Sequence, residues 1–377
     1  MNTARGRQRL SQDKFEDADC ASIAWVSYVS LCQALAHGNQ EGDRIMLNFV
    51  PAIAIATAVL CSWSRLSAQE NIKFPVAIST KTLGYGILWA AQKQGFFARQ
   101  GLEVQLITMR GADKAVQALV AGSVYVSAAG ADVHMAAVER GLDLVMVGGV
   151  INGLTHMIMG TKNYKTYQDL RGATIAAAST SMSSGTTLVL RRMLKAKGLE
   201  FQRDYQLIGT GGSGPAFTTL TSGQVAAAFV AAPLSFAAAE MGYNIIGQVV
   251  DLIPNYQLAV LSVDRSWSEK NRPLLIRFLK GTVLGARWLL ENKQAAVNYL
   301  VKEMDLKPEH ARSGWEYYSE NRIWHPDADI NIEGLKITMQ IYGEQTQAKG
   351  PLPSPAKYLD QSYLKDALRE LQGSKSS

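Results

Sequence analysis

Cysteine is almost missing from this chain. Its three cysteines, Cys20, Cys32 and Cys61, all precede residue 62, so the rest of the sequence has neither a disulfide framework nor thiol chemistry. The five histidines are scattered, with no His-Glu-x-x-His or paired-cysteine spacing, and linear spacing alone predicts no metal site and no cofactor. No Gly-x-Ser-x-Gly elbow occurs, so a Ser-His-Asp set cannot be assembled from local signals. Charged residues make up only 19% of the chain, and its basic residues form no dense stripe with interleaved aromatics, which argues against nucleic-acid binding. Six basic and six acidic residues precede residue 69, so the whole formal charge of +6 stays with residues 69–377, a mild bias toward anionic ligands.

Long apolar runs are equally scarce. The exception is Phe49 to Cys61, preceded by Arg44 and followed by Leu66-Ser67-Ala68. That length suits the apolar region of a secretory signal and falls short of a bilayer span, which predicts cleavage between Ala68 and Gln69 and a periplasmic protein. A single membrane anchor or a buried strand is the other reading of the run. Leu60 is bulky where a lipoprotein signal carries a small residue, which disfavours a lipid anchor at Cys61. Met46 stands just ahead of the run, so translation starts either there or at Met1, and residues 1–68 are set aside as leader and signal.

What is present is a repeat. Ala115, Leu119, Gly122, Val124, Ala131, Ala136, Ala137, Glu139 and Gly141 recur 101 positions later as Ala216, Leu220, Gly223, Val225, Ala232, Ala237, Ala238, Glu240 and Gly242. A period this long indicates a duplicated domain and not a solenoid. From Lys73 short apolar strands alternate with amphipathic helices, the pattern of mostly parallel α/β units. Strands are expected at 73–79, 103–108, 124–128 and 144–148, and again at 174–178, 205–208, 226–230 and 244–248. Gly95 and Gly141 stop two helices where a positive φ is wanted. Two segments, 155–160 and 257–263, are expected to form a double crossover, the hinge of a two-lobed protein. This gives lobe one as 69–155 plus 257–377 and lobe two as 156–256, with helices at 272–291, 294–304, 308–318, 332–346 and 363–371 wrapping the first lobe.

In parallel α/β sheets ligands bind at the carboxyl ends of the strands. The loops there carry Lys81, Thr82, Gly84 and Tyr85; Gly130, Ala131 and Asp132; Ser181, Ser184, Gly185 and Thr186; Ser213; and Pro233, with His156 at the first crossover. These are the expected ligand-binding residues. The hydroxyl-rich run Ser179 to Thr186 opens a helix straight after a strand, which reads either as a plain N-cap or as an oxyanion site opposed by Lys81. Gly209-Thr210-Gly211-Gly212-Ser213-Gly214 lacks the Lys of a phosphate loop.

Gly95-Phe96-Phe97, Gly101-Leu102-Glu103-Val104, Ala121-Gly122-Ser123-Val124, Asp169-Leu170-Arg171-Gly172 and Ser222-Gly223-Gln224-Val225 together resemble the periplasmic solute-binding proteins of ABC importers, in the SsuA/THI5-like (NMT1-like) family of nitrate, sulfonate and taurine binders. The resemblance implies a type II periplasmic-binding-protein fold: a monomer that closes on a small, anionic or oxygen-rich solute and delivers it to an inner-membrane ABC permease. It implies no catalysis and no cofactor. Enzymes resemble this group too, namely THI5-like pyrimidine synthases with a cysteine-rich motif and a desulfinase with a catalytic cysteine, neither of which has a counterpart after Cys61. A sensor that presents solute to a membrane receptor is the third reading.

Overall fold

The computed structural model describes residues 71–373 apart from Arg110, residues 181–183 and residues 348–349. The expected leader, signal run and cleavage point lie outside the described residues, as does Ser181.

The first lobe is built on β1 (Ile72–Ile78), α1 (Gly86–Lys93), α2 (Phe96–Arg99), β2 (Leu102–Thr108), α3 (Ala112–Val120), β3 (Val126–Gly130), α4 (Ala131–Glu139) and β4 (Leu144–Ile151). The second repeats the scheme with β5 (His156–Gly160), β6 (Ala173–Ala177), α5 (Gly185–Ala196), β7 (Tyr205–Gly209), α6 (Ser213–Thr221), β8 (Ala227–Ala231), α7 (Leu234–Glu240) and β9 (Asn244–Gln248). β3 and β8 begin 101 residues apart, as do α3 and α6, so the duplicated sequence is a duplicated structure. Gly95 and Gly141 hold φ of 71° and 89°, the left-handed conformation that glycine adopts without a Cβ penalty.

Each sheet is mixed. The orders are β2-β1-β3-β10-β4 and β7-β6-β8-β5-β9, where β10 is Ala259–Asp264. In the first sheet β10 runs antiparallel to both β3 and β4, while β1 is parallel to β2 and β3. In the second, β5 runs antiparallel to β8 and β9. The chain thus leaves each lobe to insert one strand into the middle of the other's sheet. This corrects the expected hinge: residues 156–160 and 259–263 are ladder strands with both edges paired, and the crossovers lie before them, at 152–155 and 249–258. A strand paired on both sides cannot flex without breaking its hydrogen bonds.

After β10 come α8 (Arg265–Lys270), α9 (Arg272–Glu291), α10 (Lys293–Met304), α11 (Pro308–Glu320), α12 (Ile332–Thr346) and α13 (Ser362–Gly373). α9 is buried in the first lobe, where Phe278 stacks on Phe74 at 4.9 Å and on Phe97 at 5.3 Å. Its Gly285 lets α1 approach so closely that a Cβ there would stand 2.6 Å from Ala91 Cβ and from the Ile87 carbonyl. Two of these helices do more than wrap lobe one. In α11, Tyr317 packs edge-on against Phe236 of α7 at 5.4 Å, and in α12, Ile341 enters the second lobe's core beside Leu190 and Leu194. The start of α12 braces a crossover: Thr338 Oγ1 donates to the Gln257 carbonyl at 3.0 Å and accepts from the Gln257 N–H at 3.2 Å.

Candidate functional site

Two strand-end loops, one from each lobe, meet at Asp132. It sits in the first turn of α4, directly after β3, and its Oδ2 accepts from the Gly185 N–H at 3.3 Å. Gly185 is the first residue of α5, so a carboxylate of lobe one caps a helix of lobe two. Free N–H groups and the helix dipole favour a negative charge there. The approach requires glycine, because a Cβ on Gly185 would lie 2.8 Å from Asp132 Oδ2 and 3.0 Å from the Tyr256 hydroxyl. Ser184 supplies the ordinary N-cap by accepting from the Thr187 N–H at 3.4 Å, and its Oγ lies 3.1 Å from Thr186 Oγ1.

Burial pushes the Asp132 carboxyl above the usual carboxylate range, opposed by the N–H groups of Val133, Gly185 and its own backbone; Asp113 adds like charge and raises it further. Burial first and the Asp132 charge second also raise the Tyr256 phenol. The group facing the start of α5 is therefore an acid and not a cation. Lys81 is instead engaged within lobe one, its Nζ 3.4 Å from Glu303 and 5.5 Å from the Trp89 ring centre.

The other expected residues divide into walls and floor. Tyr85 is buried, with its hydroxyl 2.6 Å from Ser79 Oγ, and burial pushes its phenol up to about 12. Thr82 accepts from the Tyr85 N–H through its carbonyl, and Gly84 offers its carbonyl to Trp324 Nε1 at 3.1 Å. Gly130 accepts from His134 Nδ1 at 2.9 Å, and Ala131 donates its N–H to Leu258. Ser213 Oγ accepts from the Ala231 N–H at 3.1 Å. Pro233, after a cis Ala232-Pro233 bond, is buried against Gly314 of α11, which Leu83 meets from the other lobe. His156 is buried and stacks on Phe229 at 4.9 Å; its Nδ1 has no protein partner, and desolvation lowers its pKa to about 4. Tyr256 and Tyr318 carry no local signal that would have singled them out, yet Tyr318 places its hydroxyl 3.3 Å from Thr155 Oγ1 on a crossover.

The arrangement brings together a buried acid, the first N–H of a helix and the buried Tyr256 hydroxyl. Among the described residues it presents no thiol and no paired nucleophile and base.

Comparison with known proteins agrees with this architecture. The NMT1/THI5-like family model matches residues 84–296. The formylaminopyrimidine-binding protein of Halalkalibacterium halodurans is 21% identical over 265 residues, covering 67% of this chain and 77% of that one. The periplasmic aliphatic sulphonate binding protein SsuA of Escherichia coli superposes with a TM-score of 0.61 at 18% identity, covering 78% of this chain and 99% of that one. A cysteine-to-serine mutant of the desulfurization enzyme DSZB, in complex with biphenyl-2-sulfinic acid, superposes with a TM-score of 0.62 at 12% identity, covering 80% and 99%. With its two mixed-sheet lobes flanked by helices in the type II periplasmic-binding-protein arrangement, the chain belongs to the NMT1/THI5-like family.

Proposed function

We propose that this protein is an extracytoplasmic solute-binding component of an ABC importer, and that its solute is a small nitrogen-bearing molecule, of the aminopyrimidine class, whose amino group donates to Asp132. The carrying observation is the placement of Asp132, a buried acid of one lobe whose Oδ2 accepts from the first N–H of α5 in the other. An anionic sulfonate or nitrate beside that acid would oppose its ionisation further, as Asp113 already does. An amino-heterocycle instead offers that acid a donor, and the Tyr256 hydroxyl, beside Gly185, offers a further polar contact. The relative that binds formylaminopyrimidine supports the same class. Solute would enter between Asp132 and α5, displace their direct hydrogen bond, and be released to a membrane permease when the lobes part.

Binding without turnover is the reading that these residues support. The desulfurization enzyme shares the fold, but no cysteine follows Cys61 here. The apolar run before Ala68 supports export, and mass spectrometry of periplasmic material should find an N-terminus near Gln69.

A thermal-shift and calorimetric panel tests the solute class. A formylaminopyrimidine at 100 times its dissociation constant should add about 2.7 kcal/mol of stability, and the same compound should be recovered chemically unchanged. Tighter binding of nitrate or an alkanesulfonate than of any amino-heterocycle would overturn the assignment.

A further inference from the structure

A second cluster of chemistry-bearing side chains lies away from Asp132. Glu240 ends α7 on the second lobe, and Glu309 and His310 open α11, whose Ala311 and Tyr318 are buried in the first lobe's core. His310 Nε2 stands 2.7 Å from Glu240 Oε2, and one donor atom from each of the three residues lies within 4.8 Å of the other two. The sequence conceals this, because Glu240 is 70 residues from His310.

We infer that Glu240, Glu309 and His310 form a binding site for a first-row divalent cation of the Zn²⁺ type, joining the two lobes. An imidazole nitrogen with two carboxylates is a donor set that Zn²⁺ accepts, whereas Ca²⁺ and Mg²⁺ call for oxygen throughout. Zn²⁺ bonds of about 2.0–2.2 Å place neighbouring ligand atoms on the order of 3.5 Å apart, within reach of the present spacing by small side-chain rotations. The His310 side chain is 12% exposed, which limits how far its ring must be ordered, while Glu240 at 49% leaves an entry path and room for water on the open positions. Binding takes the neutral imidazole with its proton on Nδ1: Nε2 gives up to solvent the hydrogen it now donates to Glu240, Nδ1 keeps or takes up the remaining ring proton, and the freed Nε2 lone pair goes to the metal.

Because two ligands belong to α11 and one to the second lobe, the ion ties those elements in the arrangement seen here. An opening of the lobes that moved α7 away from α11 would pull the donor set apart. Ion and solute would then strengthen each other by one reciprocal factor. That coupling rests on the solute-binding reading, whereas the ion site itself does not.

The test is zinc titration by calorimetry of the full-length, untagged chain without solute, in a background where Cys20, Cys32 and Cys61 are serine so that no thiolate competes. The expected result is one saturable site, weakened about tenfold or more in His310→Ala and in Glu240→Gln, with melting temperatures unchanged in the absence of metal. Anomalous scattering at the zinc edge should place the ion between these residues. An isotherm that is the same in His310→Ala as in the parent, or no saturable binding, would overturn the site. A solute affinity that zinc leaves unchanged, with the site intact, would overturn the coupling alone.

Discussion

The two lobes present the same step of the duplicated chain to the cleft with opposite chemistry. The 101-residue offset pairs Asp132, after β3, with Pro233, after β8. In lobe one the residue is a buried acid that reaches across to the N–H of Gly185. In lobe two it is a buried imino acid packed on Gly314, close to Leu83. Divergence at this pair left a polar half-site in one lobe and an apolar one in the other.

The largest effect expected is in acid, and it compares one histidine from each lobe. Burial lowers both His134 and His156 to about 4, below the ordinary value of 6.5. A histidine depressed in the folded state contributes stability that is complete above the unfolded value and is lost as pH falls through the window between the two. Each accounts for up to about 3 kcal/mol lost between pH 6.5 and 4. Urea unfolding across that range should show the loss, and His156→Phe, which stays aromatic beside Phe229, should remove about half of the slope. A slope unchanged in both His156→Phe and His134→Gln would place the acid sensitivity elsewhere.

The polar half-site is next. Asp132→Asn keeps an acceptor for the Gly185 N–H but deletes the charge, and should weaken solute binding about tenfold to a hundredfold, the worth of a charge-assisted hydrogen bond. Pro233→Ala should change affinity much less. A raised carboxyl also binds solute donors less well as it protonates, so affinity should fall as pH is lowered in the parent and lose that dependence in Asp132→Asn. Comparable losses in Asp132→Asn and Pro233→Ala, measured by calorimetry, would erase the distinction between the halves.

How far this contrast is visible in the sequence depends on how local each feature is. The bounds of α9 at Arg272 and Glu291, and of β9 at Asn244 and Gln248, follow directly from hydrophobic periodicity and flanking polar residues. The short α8 escapes periodicity, although Asp264 signals it, accepting from the Trp267 N–H at 2.8 Å as an N-cap. The loops that carry Asp132 and Gly185 are legible because strand ends hold ligands on this architecture. Their meeting is not, since a hydrogen bond between residues 53 apart in the chain has no linear signature. The same limit sends Lys81 toward the cleft in expectation, when its partner Glu303 lies 222 residues away.

Two glycines give a sharper test of the halves. Gly84 follows β1 and Gly185 follows β6, so each begins the cleft-facing turn of its own lobe. A Cβ at Gly84 would strike Ile151 of the same lobe, at 2.4 Å from Cδ1 and 3.0 Å from Cγ1, whereas the contacts at Gly185 include Asp132 from the opposite lobe. Ile151 is buried and can yield only by turning within a packed core, so Gly84→Ala should cost about 1–3 kcal/mol of stability by urea unfolding. Gly185→Ala can relieve its clash if the lobes separate slightly, and alanine suits a helix, so stability should hold while solute affinity falls severalfold. Reversal of these two phenotypes would mean that the Asp132 to Gly185 contact does not define closure.

The smallest difference concerns the repeated glutamates Glu139 and Glu240, which end α4 and α7 and are each tied to the C-terminal part of the chain. Glu139 accepts from Lys357 Nζ at 2.7 Å and from the Tyr358 hydroxyl, and those hydrogen bonds hold its carboxyl below the usual range. Glu240 meets His310. Exposed ion pairs contribute about 0–1 kcal/mol, so neither Glu139→Gln nor Glu240→Gln should exceed that without metal at neutral pH. Glu139 should cost the more, because Tyr358 is buried and its hydroxyl would keep a weaker, neutral acceptor. Its lowered carboxyl adds a sign: that contribution is present above the unfolded carboxylate value and fades as pH drops through the folded one. Stability measured at pH 7 and pH 3 should therefore differ more between parent and Glu139→Gln at the higher pH. An equal gap at both would show that the glutamate acts through packing, and that the two lobes anchor their C-terminal partners by shape and not by charge.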